Sequence, residues 1–212
     1  MELPLFPLHV VLFPGSSLPL HVFEERYREM MRVVMESDRK IGIVAIRSGM
    51  ESGGPADTYS IGSIALVEQV QRSQDGSMDI LVTGTDRFHI DERLPDDPYP
   101  RGNVTTLPDL PGEEVEGFLT GARAATFRYL SAVARLQESD IKAPSLSEDP
   151  VVASYKLAAV LDLDIPERQR MLECPDAHTR LALVSDLARR EALLLETVGP
   201  SVGRPRSMYS PN

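Results

Sequence analysis

The sequence changes character near residues 107–111, and this change limits the fold more than any other feature. Before it, short apolar runs alternate with Gly, Pro and Asp, a pattern typical of strands and turns. After it, apolar residues recur at helical spacing over long segments. We therefore predict an α+β protein with a strand-rich subdomain at 1–108 and a helical bundle at 109–200. Residues 201–212 are rich in Pro, Ser, Gly and Arg, and we expect a disordered tail there.

The strand-rich half contains one predicted helix. Asp75 and Gly76 form a hairpin signal, because this pair tolerates positive φ, so the flanking strands should pair antiparallel. Between residues 23 and 37, apolar and charged side chains fall on opposite faces of a helix. The predicted strands are 40–47, 61–72, 78–85, 88–94 and 102–107. The apolar helix face comprises Phe23, Tyr27, Met30, Met31, Val34 and Met35.

Caps and prolines mark the helix boundaries of the second half. Asp149 followed by Pro150 is typical of a helix start, and Asp176 after Pro175 marks another. Gly199 and Pro200 end the last helical pattern. The predicted helices are 115–136, 152–161, 165–174 and 177–197.

The composition argues against several classes of protein. The net charge is -10 and the pI is about 4.9, so a nucleic-acid backbone would be repelled unless basic residues formed a concentrated patch. A single cysteine, Cys174, allows no internal disulfide and favours a cytoplasmic location. The apolar first 23 residues lack a basic leader and contain four prolines, so we expect no export signal. No apolar run is long enough to span a bilayer, and we expect no membrane partner.

The sequence shows no familiar catalytic or metal-binding pattern. It has no glycine-rich phosphate loop ending in Lys and Ser or Thr. The histidines lie singly, without a second ligand at helical or hairpin spacing, so we expect no metal site. Carboxylate pairs such as Asp91 with Glu92 fall in predicted turns and solvated edges. We therefore expect neither a cofactor nor catalysis.

An ordered series of motifs opens with Leu3-Pro4-Leu5-Phe6-Pro7 and continues through Phe23-Glu24-Glu25-Arg26-Tyr27 and Ile61-Gly62-Ser63 to Arg168-Gln169-Arg170-Met171-Leu172-Glu173. This series resembles the Lon protease N-terminal domain family. The residues that carry the motif in the first half are Pro4, Phe6, Pro7, Phe13, Pro14, Gly15, Pro19, Glu24, Arg26, Tyr27, Gly62, Arg87 and Phe88.

The resemblance implies a fold and a role. The expected fold is a strand-rich PUA-like pseudo-barrel with one packed helix, followed by a helical bundle. In Lon, this region precedes an AAA+ motor and a serine-lysine peptidase, and it takes part in substrate recognition. We expect a stand-alone recognition module without those domains. The segment 199–203 is similar to the sequence around the Lon catalytic serine, but no lysine follows Lys156, so we expect no dyad.

The motif residues are expected to be structural. Leu3, Leu5, Phe6 and Leu8 should form an extended edge path that fills the strand core. Glu24 or Arg26, in the first turn of the predicted helix, should form a partly buried ion pair with a strand residue such as Asp86 or Arg87.

A polypeptide groove between the two subdomains is the functional hypothesis. Methionine side chains adapt to varied apolar partners, although methionines at helical spacing are also typical of a core. The candidate groove residues are Met30, Met31, Met35, Met50, Met78, Phe88 and Tyr99.

Three functions remain open at this point. The leading hypothesis is a non-catalytic module that binds exposed or unfolded polypeptide clients, by apolar docking or by edge-strand addition, with a protease or chaperone as a further partner. The second is a stand-alone hydrolase, for which the sequence offers no nucleophile, base and oxyanion hole together. The third is RNA binding, through a basic strip formed by Arg26, Arg28, Arg32 and Arg39.

Overall fold

The computed structural model describes residues 1–51, 56–96, 98–138 and 147–198. These residues divide into two units, one formed by Met1–Asp109 with Leu163–Glu173 and the other by Leu110–Asp162 with the chain from Cys174 onward. The predicted tail at 201–212 and the segment 199–203 lie outside the described residues. The elements in chain order are β1 (Glu2–Leu8), β2 (Ser17–Val22), α1 (Glu25–Met35), β3 (Lys40–Gly49), β4 (Ala56–Thr58), β5 (Ile61–Arg72), β6 (Met78–Leu94), β7 (Arg101–Leu107), α2 (Val115–Gln137), α3 (Pro150–Ala159), α4 (Ile165–Glu173) and α5 (Ala177–Val198).

The sheet of the first unit closes on itself through β1. The strand order is β1-β7-β6-β5-β3, and β1 also pairs parallel with β3, where Leu5 lies opposite Gly42. The predicted edge path for Leu3, Leu5, Phe6 and Leu8 is therefore wrong, because β1 has a strand on each side. Its two partners are distant in the chain, so local sequence contains no sign of the pairing. The four side chains are buried, as their predicted packing role requires.

A single strand, β6, replaces the two predicted at 78–85 and 88–94. It is 17 residues long and pairs with β5 from Met78 to His89, with β2 along its first part and with β7 along its last part. Irregular pairing near Gly84 changes the register, and this turn-like stretch gave the false signal of a break. The predicted hairpin at Asp75 and Gly76 is confirmed, since Gly76 has φ +85° and Arg72 pairs with Met78.

Two separate apolar clusters stabilise the first unit. One contains the buried face of α1 packed against β1, β3, β5 and β6, and the other contains Leu3, Leu5 and Phe88. The rings of Phe6 and Tyr27 lie 4.3 Å apart in the first cluster. Burial there raises the pKa of the Tyr27 phenol to about 12, although the adjacent Arg26 guanidinium opposes the shift. Phe23 precedes α1 and is largely exposed, which differs from its predicted position on the apolar face.

The helices of the second unit begin where the sequence predicts. The Asp149 carboxylate accepts hydrogen bonds from the backbone N–H groups of Val151 (2.8 Å) and Val152 (3.3 Å) at the start of α3. The Asp176 carboxylate accepts one from the Thr179 N–H (2.7 Å) at the start of α5. Both predicted caps are therefore confirmed.

The short helix α4 does not belong to the bundle, which corrects the predicted continuous unit at 109–200. It clusters with the strands, and the reasons are specific contacts. The Gln169 side-chain amide donates to the Ile61 carbonyl (2.9 Å), and the Arg168 guanidinium lies 5.1 Å from the centre of the Phe13 ring. Met171 and Leu172 are buried. The chain thus leaves the bundle after Asp162 and re-enters it at Cys174.

In the part of the chain that the structure describes, no helix combines the length and apolar character needed to cross a membrane.

Candidate functional site

Arg87 is the most extensively bonded of the motif residues. Its side chain is 2% exposed, and its Nε donates to the Asp109 carboxylate (2.8 Å). Its terminal nitrogens donate to the carbonyls of Leu172 (3.0 Å) and Pro108 (2.9 Å). The guanidinium therefore joins β6, the end of β7 and α4 within the first unit, which is a structural role.

Glu24 and Arg26 form an ion pair with each other rather than with a strand residue. The Arg26 Nε donates to the Glu24 carboxylate at 3.1 Å, and the guanidinium lies 4.5 Å from the centre of the Tyr27 ring. The predicted pairing with Asp86 or Arg87 is wrong, because Arg87 is directed to Asp109. Sequence spacing identified a charged helix start but could not identify its partner.

The candidate groove residues lie mainly in the two cores of the first unit. Met30, Met31, Met78 and Tyr99 are buried in the cluster beneath α1, and Met35 packs against its margin. Phe88 is buried in the other cluster, whereas Met50 is 60% exposed. The structure thus does not bring all seven residues together. Those that are buried pack in the cores of the first unit. Peptide contact by these residues stays a prediction.

The basic strip on α1 is neutralised by neighbouring carboxylates. Arg28 pairs with Glu25, and Arg32 pairs with Glu29 through two bonds of 3.0 and 2.6 Å. These bonds lower the pKa of the Glu29 carboxyl, chiefly through the hydrogen bond from Arg32. With Arg26 paired to Glu24, three of the four arginines have an acidic partner, so the strip has little unbalanced positive charge.

A groove between α2 and α5 forms an open surface concavity in the second unit. Phe118 and His178 rings lie 3.9 Å apart near the start of both helices, and Arg128 pairs with Glu196 further along both, so the helices run in the same direction. The groove encloses about 390 Å³. Its lining residues are Gly117, Phe118, Gly121, Ala182, Ser185, Asp186 and Arg189.

Small residues open this groove on the α2 side. A Cβ atom at Gly117 would meet no atom within 4 Å, and one at Gly121 would approach only the Ser185 hydroxyl at 3.9 Å and the Arg189 guanidinium at 4.0 Å. A ligand can therefore approach the α2 backbone closely here. Phe118 supplies an aromatic wall, and the His178 ring packs against it. The His178 Nδ1–H donates to the Glu113 carbonyl at 2.5 Å, which fixes that ring.

The α5 side of the groove combines apolar and charged groups. Leu193 follows Arg189 by one helical turn, so it lies on the same face of α5, beyond the residues that line the groove. It is 56% exposed, and its neighbour Leu194 is 50% exposed on a different face. Asp186 and Arg189 form an exposed ion pair of 3.4 Å along the rim.

One ion pair lies beyond Leu193 and links the two helices. The Arg128 guanidinium donates to both Glu196 carboxylate oxygens, at 3.0 and 2.5 Å. The hydrogen bond from Arg128 lowers the pKa of the Glu196 carboxyl and raises that of the guanidinium. Both groups are therefore charged at neutral pH, and they place fixed charge at this end of the groove.

Comparison with known proteins identifies the family. The model for the ATP-dependent protease La (LON) substrate-binding domain matches residues 2–190. The chain belongs to this family. The Lon substrate-binding domain match extends over parts of both units and includes the residues that line the α2–α5 groove.

Curated relatives are full-length Lon proteases of which this chain is similar to one part. It is 31% identical over 201 residues to Lon protease 2 of Herpetosiphon aurantiacus, covering 92% of this chain and 24% of that protein. It is 26% identical over 202 residues to the Lon protease of Cytophaga hutchinsonii, with 92% and 25% covered. The chain thus spans about a quarter of the length of the relatives it matches.

Solved structures share the fold. The Lon N-terminal domain protein from Xanthomonas campestris superposes with a TM-score of 0.61 at 24% identity, covering 86% of this chain and 95% of that one. The N-terminal domain of Mycobacterium avium complex Lon protease superposes with 0.66 at 18% identity, covering 89% and 98%. The predicted α+β fold is confirmed.

Sequence reasoning missed the groove of this Lon substrate-binding domain. It placed the candidate site on methionines, whereas the α2–α5 groove is built from glycines and from polar residues on a predicted helix. Gly117 and Gly121 are spaced four residues apart inside a helical pattern, a signal of close approach that could have been noticed. The α5 residues had no such signal.

Proposed function

We propose that this chain is a non-catalytic module that binds apolar segments of polypeptides in the α2–α5 groove. The observation that carries the proposal is the open groove between two parallel helices, with the exposed Leu193 one helical turn beyond it on the same face of α5. The family description, a substrate-binding domain of an ATP-dependent protease, supports protein substrates as the class of ligand.

The groove offers both kinds of contact that an extended polypeptide needs. Gly117 and Gly121 leave room for side chains of different sizes, and Phe118 and Leu193 give them apolar contact. Ser185, Asp186 and Arg189 supply hydroxyl, carboxylate and guanidinium groups for backbone amides of the ligand. Contacts of this kind are tolerant of sequence, as recognition of many clients requires.

The binding of a disordered, apolar probe tests this proposal. Labelled β-casein is titrated with the protein, and fluorescence anisotropy measures the dissociation constant. Leu193→Asp should weaken binding about tenfold or more, because it places a charge where an apolar segment docks. Leu194→Asp is the matched control, since it makes the same change at a similarly exposed leucine on a different face of α5.

The same protein samples test the non-catalytic part of the proposal. β-Casein incubated with the chain, with and without ATP, should remain intact on a denaturing gel. Equal affinities for Leu193→Asp and Leu194→Asp would reject the groove, and cleavage of casein by the purified chain would reject the non-catalytic role. Partnership with a protease or chaperone, and a cytoplasmic location, are further predictions from the sequence.

A further inference from the structure

The strand β2 lies at an edge of the sheet and exposes one row of backbone groups. Among the described strands it pairs with β6 alone, and Pro19 lies opposite Leu81. The Gly84 N–H donates to the Ser16 carbonyl (2.9 Å), so the Ser16 carbonyl is directed to β6. Because backbone groups alternate along a strand, those of Ser17, Pro19 and His21 are directed to the open edge.

Few of the usual features protect this edge. Residues 17–22 are Ser-Leu-Pro-Leu-His-Val, without Asp, Glu, Lys or Arg, and the pairing with β6 is regular over all six residues. Natural sheets protect open edges with charge, bulges, short strands or proline. Proline is the feature present here, and it stands at the centre of the outward row, where it has no N–H to donate.

We propose that Pro19 keeps the outer edge of β2 from pairing antiparallel with β2 of a second copy of this chain. In a two-fold symmetric pair, position 19 lies opposite itself and Ser17 lies opposite His21. The two central hydrogen bonds would run between the two residues at position 19, and proline removes both. Its ring also occupies the space that the approaching carbonyl needs. A second copy fits because the register is symmetric and places no like charges opposite each other.

The edge of β2 is separate from the α2–α5 groove, so this inference does not depend on the proposed function. It also disfavours strand addition at β2 as a route for polypeptide binding, because a strand added across Pro19 would meet the same missing donor. Pro19 is one of the motif residues that carry the family resemblance, and the geometry of the edge gives it a specific role.

Sedimentation equilibrium tests whether a backbone N–H restored at position 19 allows the β2 edge to pair with a second copy. Pro19→Val and Pro19→Ala each restore the donor, and each should self-associate about tenfold or more tightly than the wild-type chain. Ser17→Val is the matched control, because it adds an apolar side chain to the same row without adding a donor. Far-UV circular dichroism verifies folding, and the alanine variant serves where the branched side chain impairs it.

Cysteine cross-linking tests the register. In the symmetric pair, the Cα atoms at position 19 would lie about 5.5 Å apart, within disulfide range, whereas those at position 17 would be too distant. Pro19→Cys should therefore form a cross-linked dimer on oxidation and Ser17→Cys should not; the native Cys174 is buried. The proposal is overturned if folded Pro19→Val and Pro19→Ala sediment as wild type does, if Ser17→Val associates as tightly as they do, or if Ser17→Cys cross-links equally well.

Discussion

Arg87 connects three segments of the first unit through one buried guanidinium, so its replacement should be costly. Arg87→Met removes the donors to Asp109, Leu172 and Pro108. We expect the free energy of unfolding to fall by about 3 to 5 kcal/mol, because a partly buried carboxylate and two carbonyls lose a charged partner. Urea unfolding measures the loss. The matched control is Arg47→Met, at an exposed ion pair with Asp57, which should cost far less. Similar losses for both variants would contradict the account.

Asp176 gives a stability contribution that depends on pH. Its carboxylate accepts the Thr179 N–H, and this bond lowers the pKa of the carboxyl below its ordinary 3.8. A lowered folded-state pKa means that the contribution is fully present above the unfolded-state value and is lost as pH falls through the folded value. Asp176→Ala should therefore cost about 1 kcal/mol at pH 7 and progressively less toward pH 3.

The control for this titration is Asp176→Asn, which retains a capping oxygen but has no carboxyl to protonate. Its stability relative to Asp176→Ala should stay constant between pH 7 and pH 3. Chemical denaturation at each pH compares the three proteins. A difference between the wild type and Asp176→Ala that does not change with pH would show that the cap is not the source of the effect.

The type of a residue predicted the role of its side chain better than it predicted the bonding partner of that side chain. The caps at Asp149 and Asp176 were predictable because a cap bonds to backbone two or three residues away. The partner of Arg87 was not, since Asp109 is 22 residues away and Leu172 is 85 residues away in the chain. A long-range partner depends on how the strands are arranged, and one sequence contains no measure of that arrangement.

At the scale of elements, two glycines should respond in opposite directions to the same substitution. A Cβ at Gly62 in β5 would lie 2.4 Å from the Ile43 carbonyl oxygen, which belongs to the backbone of β3 and cannot move aside. Gly62→Ala should therefore cost about 1 to 3 kcal/mol. Gly117 in α2 has open space around it, and Gly117→Ala should stabilise by about 0.5 kcal/mol because alanine favours the helix.

Thermal unfolding of the two alanine variants measures the direction of each change in stability. A stabilised Gly62→Ala would show that β3 and β5 are further apart than the structure places them. A destabilised Gly117→Ala would show that the α2–α5 groove is filled or closed around this position.

Elements with local signals were predictable, and those with distant partners were only partly so. Strand β5 matches its predicted bounds, Ile61–Arg72, because apolar alternation and a following Asp-Gly turn define it. Strand β1 contains Pro4 and Pro7, which concealed its pairing with β3 and β7. Helix α4 was found, but its position among the strands was not, because chain order suggested the bundle.

At the scale of the whole molecule, the ordered series of motifs identified the family before any strand pairing was known. The change of pattern near residue 108 predicted the α+β class. It predicted the division into two units only in part, because α4 belongs with the strands. The candidate binding surface could not be predicted from the sequence, because a groove between α2 and α5 depends on which helix faces remain uncovered after packing. Amphipathic patterns show that a face is apolar, but they do not show which polar face borders a concavity.

The central claim is that polypeptides bind in the α2–α5 groove, and site-specific photo-crosslinking tests it most directly. The photoreactive residue benzoylphenylalanine is placed at position 193, on the face of α5 that borders the groove, or at position 194, on a different face. A third protein has it at position 50 in the first unit, where Met50 is also exposed. Each protein is irradiated with β-casein, and the cross-linked product is quantified on a gel. We expect position 193 to give at least several times more product than positions 194 and 50. Equal products from all three positions, or a product mainly from position 50, would contradict the account.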